Sequence, residues 1–167
     1  MWIATRNGLD RYDANRNQFI HYKHYPDKLT SLSDNRIQCI LEDSKGQLWI
    51  GTYNGLNLMD KSSGQSSRFL NDPLKQTSIS DNRILCIYED NAGNLWIGTN
   101  NGLNKLNDDK GTFTRYTSKN GLKNEVIHGI AEDDSGILWL STNKGLIQFD
   151  PLKTDSIISK SYDIYDG

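Results

Sequence analysis

The chain has 167 residues, with 19 Lys plus Arg against 21 Asp plus Glu, a net charge of −2 and 35% hydrophobic residues. At ~150 residues per typical domain this is one domain or part of one, and the near-balanced charge argues against the basic stripe of a nucleic-acid groove. No apolar run approaches the ~18–20 residues of a membrane span, so no membrane contact is expected of this segment, and two cysteines are too few for a disulfide scaffold or a Cys-rich zinc site.

The chain opens on WIATRNGL, from Trp2 to Leu9. This octet returns as WIGTYNGL from Trp49, WIGTNNGL from Trp96 and WLSTNKGL from Trp139, so the tryptophans are 47, 47 and 43 residues apart. Ahead of the second octet, DNRIQCILEDSKGQLWIGT from Asp34 matches DNRILCIYEDNAGNLWIGT from Asp81 at 14 of 19 positions, and a weaker copy, NEVIHGIAEDDSGILWLST, starts at Asn124. Pro26 and Pro73 are also 47 apart. Self-similarity at a fixed period of this length is the signature of stacked units, each of which buries the face of the next.

Each unit carries four short extended segments. In the second copy they are Ile37 to Glu42, Leu48 to Thr52, Leu56 to Met59 and a run near Phe69. Asp43 to Gly46, Asp90 to Gly93 and Asp133 to Gly136 place Asp first and Gly last, which suits a type I turn closed by a left-handed residue. Asn7-Gly8, Asn54-Gly55 and Asn101-Gly102 predict two-residue hairpin turns with positive φ at both residues, whereas Lys144-Gly145 keeps only the glycine. No stretch of ten or more residues has a capped 3.6 period. The fold class expected is all-β.

Four antiparallel strands repeating every 43–47 residues fit a β-propeller blade. Leu48-Trp49-Ile50 is apolar at consecutive positions, so both faces of that strand need cover, as they have between neighbouring blades. Two residues after each Trp stand Ala4, Gly51, Gly98 and Ser141, all small, as a close approach by the next blade requires. A solenoid or a β-sandwich is the competing architecture, and a sandwich does not explain near-identical turns at a fixed period. The chain therefore reads as a β-propeller fragment of about 3.75 blades, fewer than the ~4–8 of a closed ring. The blades run over about 1–25 (incomplete, without its inner strand), 34–72, 81–117 and 124–162. Ser156 to Tyr165 reads as the last outer strand, and Tyr165-Asp166-Gly167 as the lead-in to another blade. The Trp-bearing faces of the end blades then need cover, either from the remaining blades of a longer protein or from a second copy of the chain.

The pattern N-x-I-x-x-I-x-E-D-x-x-G-x-L-W-I-G-T-x-x-G-L resembles the two-component regulator propeller repeat. Asn35, Ile37, Ile40, Glu42, Asp43, Gly46, Leu48, Trp49, Ile50, Gly51, Thr52, Gly55 and Leu56 carry it, as do the positions 47 residues later, from Asn82 to Leu103. The last copy departs, with Glu125 for the Asn, Leu140 for the Ile and Ser141 for the Gly. The resemblance implies the sensor region of a hybrid two-component system histidine kinase, of the kind abundant in gut Bacteroidetes. That region is periplasmic, part of an inner-membrane protein, and such sensors often detect oligosaccharides. The transmembrane helix, kinase and response regulator that the family implies are not in this sequence, so no kinase activity is expected of it.

Chemistry-bearing residues are few. His21, His24 and His128 are the physiological-pH bases, and none sits in a nucleophile motif. The pairs Glu42-Asp43, Glu89-Asp90 and Glu132-Asp133 invite an acid or calcium reading, but repetition at one turn points to hairpin-building aspartates. His21-x-x-His24 has no Cys partner, so it reads as surface. Cys39 and Cys86 are equivalent residues one repeat apart whose side chains leave their sheets in the same sense. They read as small buried apolar groups that do not bridge. No cofactor and no metal are expected. A propeller lyase or hydrolase remains a remote alternative.

Ligand binding is the better reading. On one rim, the position after each repeat Thr changes from copy to copy: Arg6, Tyr53, Asn100, Asn143. The loops before the inner strands add Arg36, Arg83 and Glu125, with Asn35, Asn82 and Asn124 beside them, of which Asn35 and Asn82 read as caps of backbone groups. Tyr, Asn and Arg suit a neutral or acidic sugar, because aromatic faces pack on C–H groups and amides or guanidiniums pair with hydroxyls or carboxylates. The rival is a non-catalytic protein-interaction scaffold.

Overall fold

The computed structural model describes residues 1–107, 111–153 and 160–162. Among the described residues, fifteen strands lie in four antiparallel sheets. The first is three-stranded, in the order β1 (Trp2–Thr5), β2 (Gly8–Asp13), β3 (Gln18–Tyr22). The second is β4 (Ile37–Glu42), β5 (Leu48–Thr52), β6 (Gly55–Met59), β7 (Ser66–Phe69). The third repeats it with β8 (Ile84–Glu89), β9 (Leu95–Thr99), β10 (Gly102–Leu106), β11 (Phe113–Tyr116), and the fourth with β12 (Ile127–Glu132), β13 (Leu138–Thr142), β14 (Gly145–Phe149), β15 (Lys160–Tyr162). A single 3-10 turn, Ser118–Asn120, is the helical element among the described residues. Of the outer strand expected over 156–165, Lys160–Tyr162 is present. The rest, and the lead-in at 165–167, lie outside the described residues.

The inner strands β4, β8 and β12 pack against one another in turn, as propeller blades do. The consecutive apolar run of the Trp strand is explained by burial on both faces: every residue of β5 and of β9 is buried. Within each sheet the Trp stacks on an aromatic of the outer strand, Trp2 on Tyr22, Trp49 on Phe69, Trp96 on Tyr116 and Trp139 on Tyr162, with centroids 5.5–5.9 Å apart. The small residue after it is where the next sheet arrives. A Cβ at Gly51 would sit 2.6 Å from Cγ2 of Ile84, and one at Gly98 2.8 Å from the carbonyl oxygen of Ile127. Trp96 is fully buried, whereas Trp2 and Trp139 in the end sheets are half-buried and Leu146 is 45% exposed.

The turns divide into one that follows expectation and one that corrects it. Gly46, Gly93 and Gly136 adopt φ of 75°, 77° and 79°, closing the Asp-first turns as read. The Asn-Gly turns differ: among the described residues the only non-glycine with positive φ is Asn17. Thr52 pairs with Gly55, so Tyr53 and Asn54 are the central residues and Gly55 takes the left-handed conformation alone. Thr52 Oγ1 accepts the Asn54 N–H and donates to the Gly55 carbonyl, and Thr5, Thr99 and Thr142 repeat this. Threonine and glycine hold the turn, not asparagine, and Lys144 is therefore accommodated.

Loops 23–36 and 70–83 are pinned over the sheet they precede by an outer-strand arginine. Arg68 donates to the carbonyls of Ser31 and Lys28, and Arg115 to those of Ser78 and Lys75. Beneath them, buried Asn57 and Asn104 bind Ser33 and Ser80. The third such loop, 117–126, is four residues shorter, and Lys123 Nζ donating to Ser161 Oγ replaces the arginine link.

Candidate functional site

The turn at Tyr53 and the entries to β4 and β8 meet on one rim. The Tyr53 N–H donates to the Arg36 carbonyl, and the Gly55 N–H to the Asn82 carbonyl of the next sheet. These backbone bonds deliver three of the expected residues to one place. The guanidinium carbons of Arg36 and Arg83 lie over the Tyr53 ring, 4.5 and 4.7 Å from its centroid. Arg83 Nη2 also donates to the Tyr53 hydroxyl at 3.4 Å.

The two arginines are repeat equivalents with different partners. Arg36 is bidentate on Asp34, through Nε at 3.1 Å and Nη2 at 2.8 Å, and this bond holds the Asp34 carboxyl below its ordinary range. Asp81 accepts only the backbone N–H of Arg83, at 2.7 Å. Among the described residues no carboxylate forms an ion pair with Arg83, whose side chain is turned onto the tyrosine of the preceding sheet. The cluster presents a cation with donors to spare.

The other expected residues are dispersed. Arg6 is exposed on the first sheet's turn, and Asn100 is exposed at the equivalent position of the third. Asn143 Oδ1 lies 2.6 Å from His128 Nε2 within its own sheet. Glu125 is not the counterpart of the arginines: its carbonyl accepts the Gly102 N–H as Asn82's accepts Gly55's, so Val126 occupies the arginine position. The Glu125 carboxylate accepts the Ser118 N–H at 2.6 Å. Asn35 and Asn82 cap the backbone N–H groups of His24 and Asn71, as read, and Asn124 accepts from Val126.

The carboxylates of the repeated Glu-Asp pairs are committed to structure. Asp43, Asp90 and Asp133 each accept a turn N–H and, at 2.8 Å, the indole N–H of their own Trp. Burial pushes the Asp90 carboxyl up, and the bonds from Trp96 and Asn94 outweigh it and hold it below its ordinary value. Glu89 reaches back to the Ser44 N–H and hydroxyl of the preceding sheet's turn, at 2.7 and 2.6 Å, and Glu132 to the Asn91 N–H at 2.8 Å. His21 meets Asp10 and His24 meets the Leu32 carbonyl, so the two histidines face separate partners. Cys39 and Cys86 are free thiols, and burial pushes both up to about 12. They are inert packing groups beside Gly51 and Gly98.

Three segments, residues 31–54, 78–101 and 121–144, match the two component regulator propeller family. No curated protein matches the chain. Among solved structures it is similar to the extracellular domains of two B. thetaiotaomicron proteins described as hybrid two component systems. For BT3049 the identity is 22% over 99% of this chain and 27% of that one, with a TM-score of 0.48. For BT4673 it is 23% over 96% and 29%, with a TM-score of 0.47. The chain thus spans less than a third of the length of either domain. It is also similar in fold to XC5397, a gluconolactonase of Xanthomonas campestris, at 12% identity over 95% of this chain and 56% of that one, with a TM-score of 0.61. The chain thus carries three copies of the two component regulator propeller repeat, at residues 31–54, 78–101 and 121–144.

Proposed function

We propose that this chain is part of the extracytoplasmic sensor region of a hybrid two-component system, and that its rim recognises an oligosaccharide. The family of its repeats supports the sensor role. The observation that carries recognition is the gathering of Arg36, Tyr53 and Arg83 on one rim, with Arg83 free of any carboxylate among the described residues. With two guanidiniums over the ring, the cluster offers N–H donors before it offers a bare aromatic platform, so it suits a sugar bearing a carboxylate or several hydroxyls. The segment receives its ligand and does not transform it, because Asp43, Asp90 and Asp133 already hold turns, Glu89 and Glu132 tie neighbouring sheets, and Glu42 is paired with Lys61. The parent protein lies in the periplasm, anchored in the inner membrane.

The half-buried Trp139 and exposed Leu146 of the fourth sheet favour cover from further blades of the parent or from a second copy. Calorimetry with neutral and acidic oligosaccharides tests the sensor reading. Saturable binding of an acidic oligosaccharide that weakens on Tyr53→Ala and Arg83→Ala, or saturable binding of a neutral one, supports it. Binding of no sugar by the folded chain would leave a protein-interaction scaffold.

A further inference from the structure

The loop length of the repeat changes once, and a cleft stands at the change. The loops before β4 and β8 are fourteen residues long, and the loop before β12 is ten. Beside the short loop, over the third sheet, lies a cleft of about 510 Å³. Gln76 and Asn101, Thr114 and Arg115 of β11, and Lys119 and Asn120 of the 3-10 turn are among its lining residues. A volume of this size is within the ~300–1,000 Å³ range of small-molecule sites.

Two substitutions between repeats change the character of this place. Gln76 stands 47 residues after Leu29, and Thr117 stands 47 after Leu70. Over the second sheet, Leu29 is exposed and the Leu70 Cδ2 crowds the turn glycine, Gly55. Over the third, both leucines are replaced by polar residues, and the loop that would extend past them is shorter. The Leu70 position is also polar in the first sheet, as Lys23, so the change particular to the third sheet is Gln76 beside the shortened loop.

We infer that this cleft is a binding site for one neutral sugar unit of the ligand. The inference rests on the oligosaccharide reading above. The amides of Gln76 and Asn101 each donate and accept, which matches vicinal hydroxyls, while Asn120, whose Oδ1 caps Thr117, adds N–H donors and the Thr114 hydroxyl, which donates to Asn107, adds an acceptor. The charges add little net attraction for an anion: Lys119 is balanced by Glu125, whose carboxylate accepts the Ser118 N–H, and the Arg115 guanidinium is spent on the Lys75 and Ser78 carbonyls. The site adjoins the Arg83 cluster, because the Asn100 N–H donates to the Arg83 carbonyl and Asn101 follows it.

The test uses calorimetry on the chain with two probe sets, neutral trisaccharides (maltotriose, mannotriose, xylotriose) and digalacturonate. The variants are Asn101→Lys, the residue the last repeat itself carries there in the same turn, and Gln76→Ala. Together they should weaken neutral-sugar binding by about tenfold or more, the loss of roughly two hydrogen bonds, while Arg83→Ala changes it little. Neutral sugar bound equally well by the double variant, or digalacturonate alone bound and lost on Arg83→Ala, overturns the cleft while leaving the sensor reading standing. Binding of neither probe set overturns both.

Discussion

The Arg83 guanidinium carbon lies 4.7 Å from the centroid of the Tyr53 ring, which belongs to the preceding sheet. Its repeat equivalent, Arg36, stays on its own Asp34 while sharing the same ring. One tyrosine thereby converts two equivalent arginines into unlike groups. Tyr53→Ala should cost about 1 kcal/mol, from two cation–π contacts at ~0.5–1 kcal/mol each on an exposed rim. Tyr53→Phe keeps the ring and should cost little, because the lost hydroxyl contact is long, 3.4 Å. Urea midpoints of the two variants check this: equal losses would mean the stack contributes nothing.

Glu89 ties the third sheet to the turn of the second through Ser44. The site is partly exposed, so Glu89→Ala should lose about 1 kcal/mol and Glu89→Gln less. A double-mutant cycle with Ser44→Ala should return a coupling of about 0.5–1 kcal/mol, and additive losses would separate the two residues energetically.

Gly51 and Gly93 are glycines for different reasons. A Cβ at Gly51 would meet Cys39 Sγ at 2.5 Å and Ile84 Cγ2 at 2.6 Å. Gly51→Ala should therefore cost ~1–3 kcal/mol by overpacking the interface between sheets. At Gly93 nothing lies within 4 Å, and the φ of 77° alone opposes a side chain. Gly93→Ala should cost ~1–2 kcal/mol by the left-handed strain. Adding Cys39→Ala should recover part of the first loss and none of the second, as thermal unfolding would show.

Stability should fall on acidification. Hydrogen bonds from Ser62 and Ser63 lower the Asp60 carboxyl to about 2, the bond from Arg36 lowers Asp34, and the Trp139 indole lowers Asp133. Each folded value lies below the unfolded one, so the unfolded chain binds more protons in that window. The stabilisation is complete above the ordinary carboxylate range and is lost as pH falls through the folded values. The urea midpoint should be flat near pH 6 and drop between about pH 4 and pH 2, with a smaller drop for Asp60→Asn. A midpoint constant across that window would contradict the assignment.

The repeat made the architecture legible. Fixed spacing located the Trp strands, consecutive apolar residues at Leu48-Trp49-Ile50 announced two covered faces, and Gly51 and Gly98 marked where the next sheet arrives. Spacing also brought Arg36, Tyr53 and Arg83 to one rim. Side-chain direction was not legible. Arg36 and Arg83 sit in the same local motif, and only the tyrosine in the turn between them decides which leaves its aspartate. The Asn-Gly pairs suggested the wrong central residues because the hydroxyl of Thr52 does work that the sequence credits to Asn54. The cleft was signalled by the 43-residue spacing and by Leu29 giving way to Gln76. That signal means something only once the loop is seen to cover the sheet it precedes.

Amide chemical-shift mapping by NMR, with the bound oligosaccharide titrated into the folded chain, tests recognition at this rim most directly. The account predicts perturbations clustered on Tyr53, Arg83 and Asn101. Shifts confined to the opposite rim, around Asp43 to Gly46 and Asp90 to Gly93, or no shifts with any sugar of the panel, would contradict it.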